Sequence, residues 1–439
     1  MTHRHSHFGR RSFLSAMGAS AMVLPFAGQG RAEPEGGVGS PSRRYVGLYF
    51  NGAWDVLLGP DPRDPGQTYS GIDLGTNLLP TQYRDPIPVM MAGQEVLWGP
   101  TMAALVPHAD VMTLFRGVNM NTVAHPAGRA YVNSFIPPSG VVPKGDSMGT
   151  RMAAGGAYDD LILPNVSVGM PTFNVSFPPD VTGVRLARST EMSDLLTPLG
   201  EVPLSDETLA ALRDAQDEVE GCVHPQYGRP PVEDLQIARD RMRQLLLDGY
   251  SQDFDFATDP DLMARYGIGN PASNTPSVVA ATVWTLMETG LSRTVTAQLQ
   301  SGLDTHGPEW ATQQTSRQQD GFDAVAALIG DLRQTDPQLE DTTVVVFSEF
   351  ARTPKINGRG GRDHHFAGSV LVFGGGLRRG VCGATVEQTL GLSAIDVTTG
   401  LPDAAGRVLL PEDIGATLAK AAGLSTEPFR TDALDAWIA

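Results

Sequence analysis

The stretch Thr342–Gly376 decides the fold and is the first place to look for function; it reads TTVVVFSEFARTPKINGRGGRDHHFAGSVLVFGGG. Two short apolar runs rich in β-branched residues, Thr343–Phe347 and Ser369–Phe373, predict buried strands. The loop between them carries the polar residues Glu349, Arg352, Lys355, Arg362, Asp363, His364 and His365. Because loops held by rigid strands commonly carry metal or catalytic sites, we expect the site here.

Apolar strands alternate with helical patterns along the rest of the chain. Strands are predicted at Tyr45–Phe50, Val111–Phe115 and Thr294–Leu299, with edge strands at Cys382–Val386 and Ile395–Val397. Helices are predicted at His125–Phe135, Ser277–Gly290, Thr315–Thr335 and Pro411–Ala422. This alternation predicts an α/β fold with a mostly parallel central sheet that is covered on both faces. We expect one such domain over residues 45–439, with a helical insertion at about 203–250.

Residues 1–32 have the pattern of a twin-arginine signal peptide. Arg10 and Arg11 precede the apolar run Leu14–Ala27, and small residues follow it. We therefore expect export by the twin-arginine route to the periplasm or the exterior; the alternative is a basic, disordered arm. The apolar run is short for a membrane span, so no transmembrane anchor is expected after signal removal. Residues 33–44 are rich in Gly, Pro and Ser and predict a flexible lead-in.

The charge of the chain argues against a nucleic-acid partner. The 439 residues are 41% hydrophobic and 18% charged, which is typical of a soluble globular protein. The formal net charge is −17, and removal of residues 1–32 takes away four arginines and no acids, giving −17 − 4 = −21. Phosphate-backbone binding needs a basic face, and none is visible. The two cysteines, Cys222 and Cys382, could form one disulfide or remain thiols, but they are too few for a cysteine-based zinc site.

Two short motifs concentrate the residues that bind metals. In an extended segment Asp304 and His306 point to the same side, so they could face one cation; the alternative is a turn with a surface histidine. In the Asp363-His364-His365 run, the two imidazoles would point to opposite sides. One would then be the metal ligand, and the other would contact substrate or support the site; the alternative is a solvated polar loop. Imidazole and carboxylate together suit zinc, manganese or iron better than magnesium or calcium.

Other candidates follow predicted strands, where α/β proteins bind their ligands. Glu349 could bind a metal or simply pair with Arg352, and Asp55 could bind a metal or belong to an Asn-Gly-Ala-Trp-Asp turn. His125 could be a general base, a metal ligand or merely the start of a helix. Thr122, just before that helix, could be a nucleophile or, more commonly, a cap.

The order of these motifs resembles an exported bacterial family of unknown function, number 1501, related to the sulfatases and the alkaline phosphatase superfamily. The matching motifs are N-G-x-W-D, H-x-x-G at His125–Gly128, D-T-H-G, S-E-F-x-R-T-P-K-I-N and G-R-D-H-H, which together span nearly all of the mature chain. The resemblance implies a three-layer sulfatase-like fold and usually two divalent metal ions. Matched by motif, the implied metal ligands are Asp55, Asp304, His306, Glu349 and His364.

The chain departs from this pattern in two places. Where sulfatases carry the Cys or Ser that becomes formylglycine, it has Ala124–Arg129 without either residue, and Thr122 is the nearby hydroxyl. Phe350 also stands where a histidine would follow the second acid, which puts a second metal site in doubt.

The predicted function is a metal-dependent hydrolase acting on a small-molecule or glycan phosphate or sulfate ester. The cofactor would be one or two divalent ions, zinc, manganese or calcium. Thr122 and His125 would take the catalytic roles, and the residues expected at the substrate or in support are Asn51, Arg352, Lys355, Arg362, Asp363 and His365. The alternative is a non-catalytic exported protein that retains the fold and binds a metal or glycan.

Overall fold

A central β-sheet organises the chain. The computed structural model describes residues 43–156, 161–196 and 250–439, with Ala211, Asp214 and Arg241 as isolated positions, and all of them fall within one compact unit. The strands within these residues are β1 Arg44–Phe50, β2 Ile87–Met91, β3 Gln94–Trp98, β4 Met112–Asn119, β5 Val166–Val168, β6 Val184–Leu186, β7 Thr294–Gln300, β8 Thr342–Ser348, β9 Ala351–Arg352, β10 His364–His365, β11 Ala367–Gly374 and β12 Gly380–Cys382.

Eight of these strands form the central sheet, in the order β12-β4-β11-β8-β1-β7-β5-β6. Neighbouring strands are parallel except on the two sides of β11, which runs antiparallel to β4 and to β8. The prediction of a mostly parallel sheet is therefore confirmed. The two strands predicted in the opening stretch are also confirmed as β8 and β11, and Leu371 lies opposite Val346.

Both faces of the sheet are buried. Val344 and Val346 of β8 belong to one apolar core cluster, whereas the alternate residues Val345 and Phe347 belong to a second cluster. Since successive strand residues point to opposite faces, the two clusters lie on opposite sides of the sheet. This explains why the strand is a continuous apolar run rather than an alternating one.

Helices cover the sheet. The α-helices within the described residues are α1 His125–Ser134, α2 Met148–Gly155, α3 Glu191–Leu196, α4 Pro260–Tyr266, α5 Pro276–Glu288, α6 Trp310–Thr335 and α7 Pro411–Ala421. The predicted helices at His125, Ser277 and Pro411 are confirmed to within a few residues. The helix predicted from Thr315 begins earlier, at Trp310, because the first turn is anchored by a hydrogen bond from the Trp310 indole to Asp55.

The predicted edge strands were wrong in extent. β12 ends at Cys382, because Gly383 follows with a φ of +97° and an added Cβ would lie 2.2 Å from the Arg116 carbonyl oxygen. Ile395 forms isolated bridges to Pro402 and Arg407 rather than a strand.

Several predicted segments lie outside the described residues. They are the signal peptide at 1–32, residues 33–42 of the lead-in and nearly all of the insertion at about 203–250. Arg44, placed in the lead-in, already belongs to β1. Cys382 is buried and free among the described residues, and Cys222 lies outside them, so the state of that pair stays a prediction. In the described part of the chain, no helix has the length and apolarity to cross a membrane.

The carboxyl ends of three adjacent parallel strands meet at one edge of the sheet. Phe50 at the end of β1 lies beside Gln300 of β7 and Ser348 of β8. The residues that follow these strands therefore leave the sheet close together, although they are hundreds of positions apart in sequence. That edge carries the candidate site.

Candidate metal centre

His125 begins α1, and the Glu349 carboxylate fixes the orientation of its imidazole ring. Its Nδ1 lies 2.6 Å from Glu349 Oε1. The Glu349 carboxylate is fully buried and also accepts hydrogen bonds of 2.9 Å from the Gly52 N–H and the Ser348 hydroxyl. An ionised carboxylate only accepts, so His125 Nδ1 carries a proton and Nε2 faces the other way.

The His125–Glu349 hydrogen bond sets the charge state of both groups. Burial disfavours the charged imidazole, but the hydrogen bond to Glu349 outweighs it and raises the pKa of His125. Burial likewise disfavours the carboxylate, but the bond from His125 outweighs it and lowers the pKa of Glu349. Glu349 is therefore ionised at neutral pH and supports His125 from the protein interior.

His306 is held in the same way by Asp363. His306 Nδ1 lies 2.6 Å from Asp363 Oδ1, and Arg359 Nη2 lies 3.0 Å from the same oxygen. The hydrogen bond from His306 is the main cause that lowers the pKa of Asp363. Its carboxylate is consequently ionised, and His306 Nε2 points away from it.

His364 takes its orientation from a backbone carbonyl. β10 pairs antiparallel with β9, which places His364 opposite Arg352. His364 Nδ1 lies 2.8 Å from the Val123 carbonyl oxygen, which can only accept, so this nitrogen also carries the proton. His365, next in the extended strand, does not join the cluster; its Nδ1 accepts from the Ala367 N–H at 3.2 Å, and burial lowers the pKa of His365 to about 4.

The three Nε2 atoms converge on one oxygen of Asp304. Asp304 Oδ1 lies 3.0 Å from His306 Nε2, 3.2 Å from His364 Nε2 and 3.3 Å from His125 Nε2. His306 Nε2 and His364 Nε2 are themselves 3.1 Å apart. The ligand atoms of His125, Asp304 and His364 all lie within 4.8 Å of one another, the one such group among the described residues.

This donor set fits a transition-metal ion. Because each Nδ1 donates to a fixed acceptor, each neutral imidazole presents the Nε2 lone pair that a metal needs. His125 Nε2 is buried and has no aligned hydrogen-bond partner among the described residues. Three imidazole nitrogens with one carboxylate suit zinc and its first-row neighbours. His125, Asp304 and His364 therefore form a candidate metal site, and His306 lies next to it as a fourth candidate ligand.

Arg352 joins the loops that carry these ligands. The guanidinium is fully buried, with Nη2 2.7 Å from Asp304 Oδ1 and 2.9 Å from the Leu303 carbonyl, and Nε 3.0 Å from the Ala53 carbonyl. Partial burial works against an ionised Asp304, but the hydrogen bonds from Arg352 and His364 outweigh it and hold the pKa of Asp304 well below its ordinary range. Asp304 is therefore ionised at neutral pH.

Comparison with known proteins identifies the family. The model of the family described as "Protein of unknown function (DUF1501)" matches residues 76–429. The chain belongs to this family. The resemblance seen in the motifs is thereby confirmed, and every residue of the candidate metal centre falls within the matched range of this DUF1501 protein.

Two solved structures show distant similarity to the DUF1501 chain. The first is the integral membrane lipooligosaccharide phosphoethanolamine transferase A of Neisseria meningitidis, with 12% identity and a TM-score of 0.34; the alignment covers 84% of this chain and 55% of that one. The second, labelled as a 4S-sulf protein in the metabolism of multiple glycosaminoglycans by Bacteroides thetaiotaomicron, has 9% identity, a TM-score of 0.36, and coverage of 90% and 76%. Among curated proteins, no sequence matches the chain.

Asp55 lies apart from the metal cluster. Its Oδ2 accepts from the Trp310 indole at 2.7 Å and lies 2.9 Å from Arg362 Nε, while Oδ1 accepts from the Leu57 N–H at 3.0 Å. Arg362 and Asp55 are both fully buried, and the Arg362 guanidinium also stacks 4.7 Å from the Trp310 ring centre. Asp55 thus has a complete set of partners of its own, and Arg362 serves this pair rather than the cluster.

The remaining predicted site residues either hydrogen-bond to residues outside the cluster or are exposed. Thr122 Oγ1 accepts a 3.2 Å hydrogen bond from the Ala124 N–H within the loop before α1, whose N-cap is Ala124. Asn51 Oδ1 accepts from the Tyr49 hydroxyl at 3.2 Å. Lys355 is exposed on the loop between β9 and β10. The catalytic and substrate roles of these residues remain predictions.

The sequence did not reveal some supporting residues. No sequence motif marks the Val123 carbonyl or the Ser348 hydroxyl, because their roles depend on the folded geometry. Gly128 did leave a trace in the H-x-x-G pattern: a Cβ there would lie 2.9 Å from the Cβ and the carbonyl oxygen of Glu349. Glycine lets the first turn of α1 approach β8 closely enough for His125 to reach Glu349.

Proposed function

We propose that this DUF1501 protein is an exported, metal-dependent hydrolase-like protein that acts on a phosphate or sulfate ester of a small molecule or glycan. One observation carries the proposal: three imidazole Nε2 atoms converge on Asp304 Oδ1 at 3.0–3.3 Å. Each imidazole is oriented by an acceptor behind it. Such orientation is characteristic of metal-binding histidines, and it is costly to build for a surface without a ligand.

The residues that would hold the ion are His125, Asp304, His306 and His364. A divalent ion bound there would polarise an ester oxygen and lower the pKa of a water molecule. Glu349 and Asp363 keep the imidazoles in the tautomer that binds. Asp304 remains about half exposed, with 49% of its side chain accessible, so an ester could reach the site from that side.

Basic side chains near the site suit an anionic substrate. Arg352 neutralises part of the Asp304 charge at 2.7 Å. Lys355 and Arg359 are exposed on the loop between β9 and β10, where they can meet a phosphate or sulfate. In a chain with a net charge of −17, these basic groups give an anion a defined place to bind.

The role of His125 follows from its orientation. With Nδ1 committed to Glu349 and Nε2 in the cluster, both ring nitrogens are used, so His125 fits the role of ligand better than that of a proton carrier. Thr122 fits a residue that stabilises the loop before α1 better than a nucleophile. Hydrolysis would then depend on an activated water rather than on a covalent intermediate with this threonine.

The second candidate function is metal binding without catalysis. The observation that favours it is that Thr122, whose hydroxyl was expected to attack the ester, hydrogen-bonds within its own loop to the Ala124 N–H. A protein that binds metal without turning over an ester would retain the imidazole cluster and lack any activity that depends on it.

Metal analysis and an ester panel separate the two functions. We expect the purified full chain to contain divalent metal and to hydrolyse a phosphomonoester, a phosphodiester or a sulfate ester. Asp304→Ala and His364→Ala should abolish both metal content and turnover, whereas His108→Ala, outside the cluster, should change neither. Metal without turnover on the whole panel would favour the binding function. If the purified protein lacks stoichiometric metal, and neither Asp304→Ala nor His364→Ala changes its properties, both candidate functions are refuted.

Export is tested separately. The proposal that residues 1–32 direct the chain through the twin-arginine route rests on Arg10, Arg11 and the apolar run after them. Fusion of residues 1–32 to a reporter should deliver it to the periplasm, and the conservative double change Arg10→Lys with Arg11→Lys should retain it in the cytoplasm. Delivery that survives the double change would rule out this route.

A further inference from the structure

We propose that the site holds one transition-metal ion rather than two ions, and that Glu349 and Asp363 position the ligand imidazoles instead of binding the ion. The inference rests on the proposed function, because it concerns the same site. It narrows the expectation of five protein ligands and one or two ions of zinc, manganese or calcium to one ion and a smaller ligand set.

Glu349 lies behind the His125 ring, on the Nδ1 side. Oε1 receives the His125 Nδ1–H at 2.6 Å and the Gly52 N–H at 2.9 Å, and Oε2 receives the Ser348 hydroxyl at 2.9 Å. The two nitrogens of an imidazole lie on opposite sides of the ring. Because Glu349 holds Nδ1, the His125 ring stands between the carboxylate and the point where the Nε2 atoms meet.

Asp363 stands in the same relation to His306. It contacts Nδ1 at 2.6 Å, and His306 Nε2 points to Asp304 at 3.0 Å. Arg359 also takes Asp363 Oδ1, at 3.0 Å. Glu349, predicted as a metal ligand, and Asp363, predicted as a supporting residue, are therefore each separated from the point where the Nε2 atoms meet by one imidazole.

Phe350 closes the flank on which a second ion would need a ligand. Its ring is fully buried and lies 4.8 Å from the His125 ring centre and 4.7 Å from the His364 ring centre. These distances are those of packed aromatic rings. The ring offers no donor atom, and it fills the space between the two ligand imidazoles on that side.

The donors that remain suffice for a single ion. With Glu349 and Asp363 behind their imidazoles and Asp55 paired with Arg362, the donors left are His125, Asp304 and His364, with His306 as a fourth candidate. Three or four protein ligands are usual for one zinc ion, whereas paired ions about 3.5–4 Å apart need bridging and terminal ligands for both. Calcium is disfavoured, since it takes roughly six to eight oxygen ligands and this set is mainly nitrogen.

The stoichiometry can be measured directly. The full chain, stripped with a chelator, is titrated with Zn²⁺ alone in a calorimeter, and we expect one equivalent to bind. Two tight equivalents would overturn the inference while leaving the proposed function intact. No tight binding would overturn the inference together with the proposed function, so the two failures are distinguishable.

The positioning role is tested with Glu349→Gln, an isosteric change. We expect one equivalent of Zn²⁺ to bind about 10–100-fold more weakly, the usual effect of losing an outer carboxylate. The matched control is Glu412→Gln, another buried glutamate, which should leave the affinity unchanged. An unchanged affinity in Glu349→Gln, or the loss of all binding despite normal unfolding, would overturn the role.

Cobalt gives a direct view of the ligand set. The visible absorption bands of the Co²⁺-loaded protein should keep their positions in Glu349→Gln, because none of the atoms that bind the ion has changed. They should shift in Asp304→Asn, which alters a ligand. A shift in Glu349→Gln comparable to that in Asp304→Asn would place Glu349 among the ligands and refute the proposal.

Discussion

Two acid–arginine pairs follow neighbouring strands at the same edge of the sheet, yet they have opposite surroundings. Asp55 pairs with Arg362 at 2.9 Å, and both side chains are fully buried. Asp304 pairs with Arg352 at 2.7 Å, and the arginine is buried while 49% of the aspartate side chain is exposed. In both pairs an aspartate that follows a parallel strand contacts an arginine. Position after a strand and residue type therefore do not distinguish a structural ion pair from a ligand site.

What distinguishes the pairs is how their hydrogen-bonding capacity is used. The Asp55 oxygens face an indole N–H, a guanidinium and a backbone N–H, all of them donors that stay in place. Asp304 Oδ1 instead faces one guanidinium and three imidazole nitrogens whose protons sit on the far side of the rings. Asp55 therefore has hydrogen-bond donors for both of its oxygens, whereas the cluster around Asp304 presents lone pairs that can bind a cation.

The largest expected effect comes from breaking the closed pair. Arg362→Met should lower the free energy of unfolding by about 3–5 kcal/mol, because it leaves Asp55 as an uncompensated buried charge. Urea denaturation followed by circular dichroism measures this loss. The double variant Asp55→Asn with Arg362→Met should recover a large part of it, since neither charge remains. A loss under about 1 kcal/mol in the single variant would mean that the pair is not a structural element.

The matching change in the open pair should affect metal binding rather than folding. Asp304→Asn should leave the free energy of unfolding of the metal-free protein within about 1 kcal/mol, because the carboxylate is half exposed. Its Zn²⁺ affinity should fall at least 100-fold, about 2.7 kcal/mol, since it loses an anionic ligand. Asp55→Asn is the control and should show the reverse pattern. Equal destabilisation by the two Asn variants would remove the distinction between the pairs.

A smaller effect should follow from loosening the support of one imidazole. Asp363→Asn keeps an acceptor for His306 Nδ1 but removes the charge, so Zn²⁺ affinity should fall about 10–100-fold, or 1.4–2.7 kcal/mol. Competition with a chromophoric chelator measures this change. Arg359→Gln, which alters the exposed partner of the same carboxylate, should have less effect than Asp363→Asn. A larger loss with Arg359→Gln would show that the ion pair, rather than the hydrogen bond to His306, supports the site.

The sequence could predict where the site lies but not what each residue does there. The apolar runs predicted β8 and β11, and the rule for strand ends placed Asp55, Asp304 and Glu349 at a common edge. Their separate roles depend on contacts that no local pattern encodes. Glu349 turns toward His125 because Gly128 permits a close approach, and Asp55 is paired because Arg362, 307 positions later, folds back onto it. Such roles are set by tertiary packing, which periodicity and propensity do not describe.

A third acid shows what happens when no arginine is present. Glu412 in the first turn of α7 is buried against the Tyr131 hydroxyl of α1. Burial raises the pKa of Glu412, in contrast to Asp304, whose pKa is lowered by its arginine. The folded state thus holds the Glu412 proton more tightly than the unfolded chain does. The resulting stabilisation is complete below the unfolded pKa of about 4.5 and is lost as pH rises through the folded pKa.

Glu412→Gln should therefore have the smallest effect and a distinctive pH dependence. The amide is neutral at every pH, so the variant avoids the cost of ionising a buried acid. At pH 7 it should be more stable than the wild type by on the order of 0.5 kcal/mol, and the difference should vanish below pH 4.5. Urea denaturation at pH 4 and pH 7 measures both values. If Glu412→Gln instead lost stability relative to the wild type between pH 4 and pH 7, the ionised carboxylate would stabilise the start of α7. Burial without a neighbouring cation would then not determine the charge of Glu412.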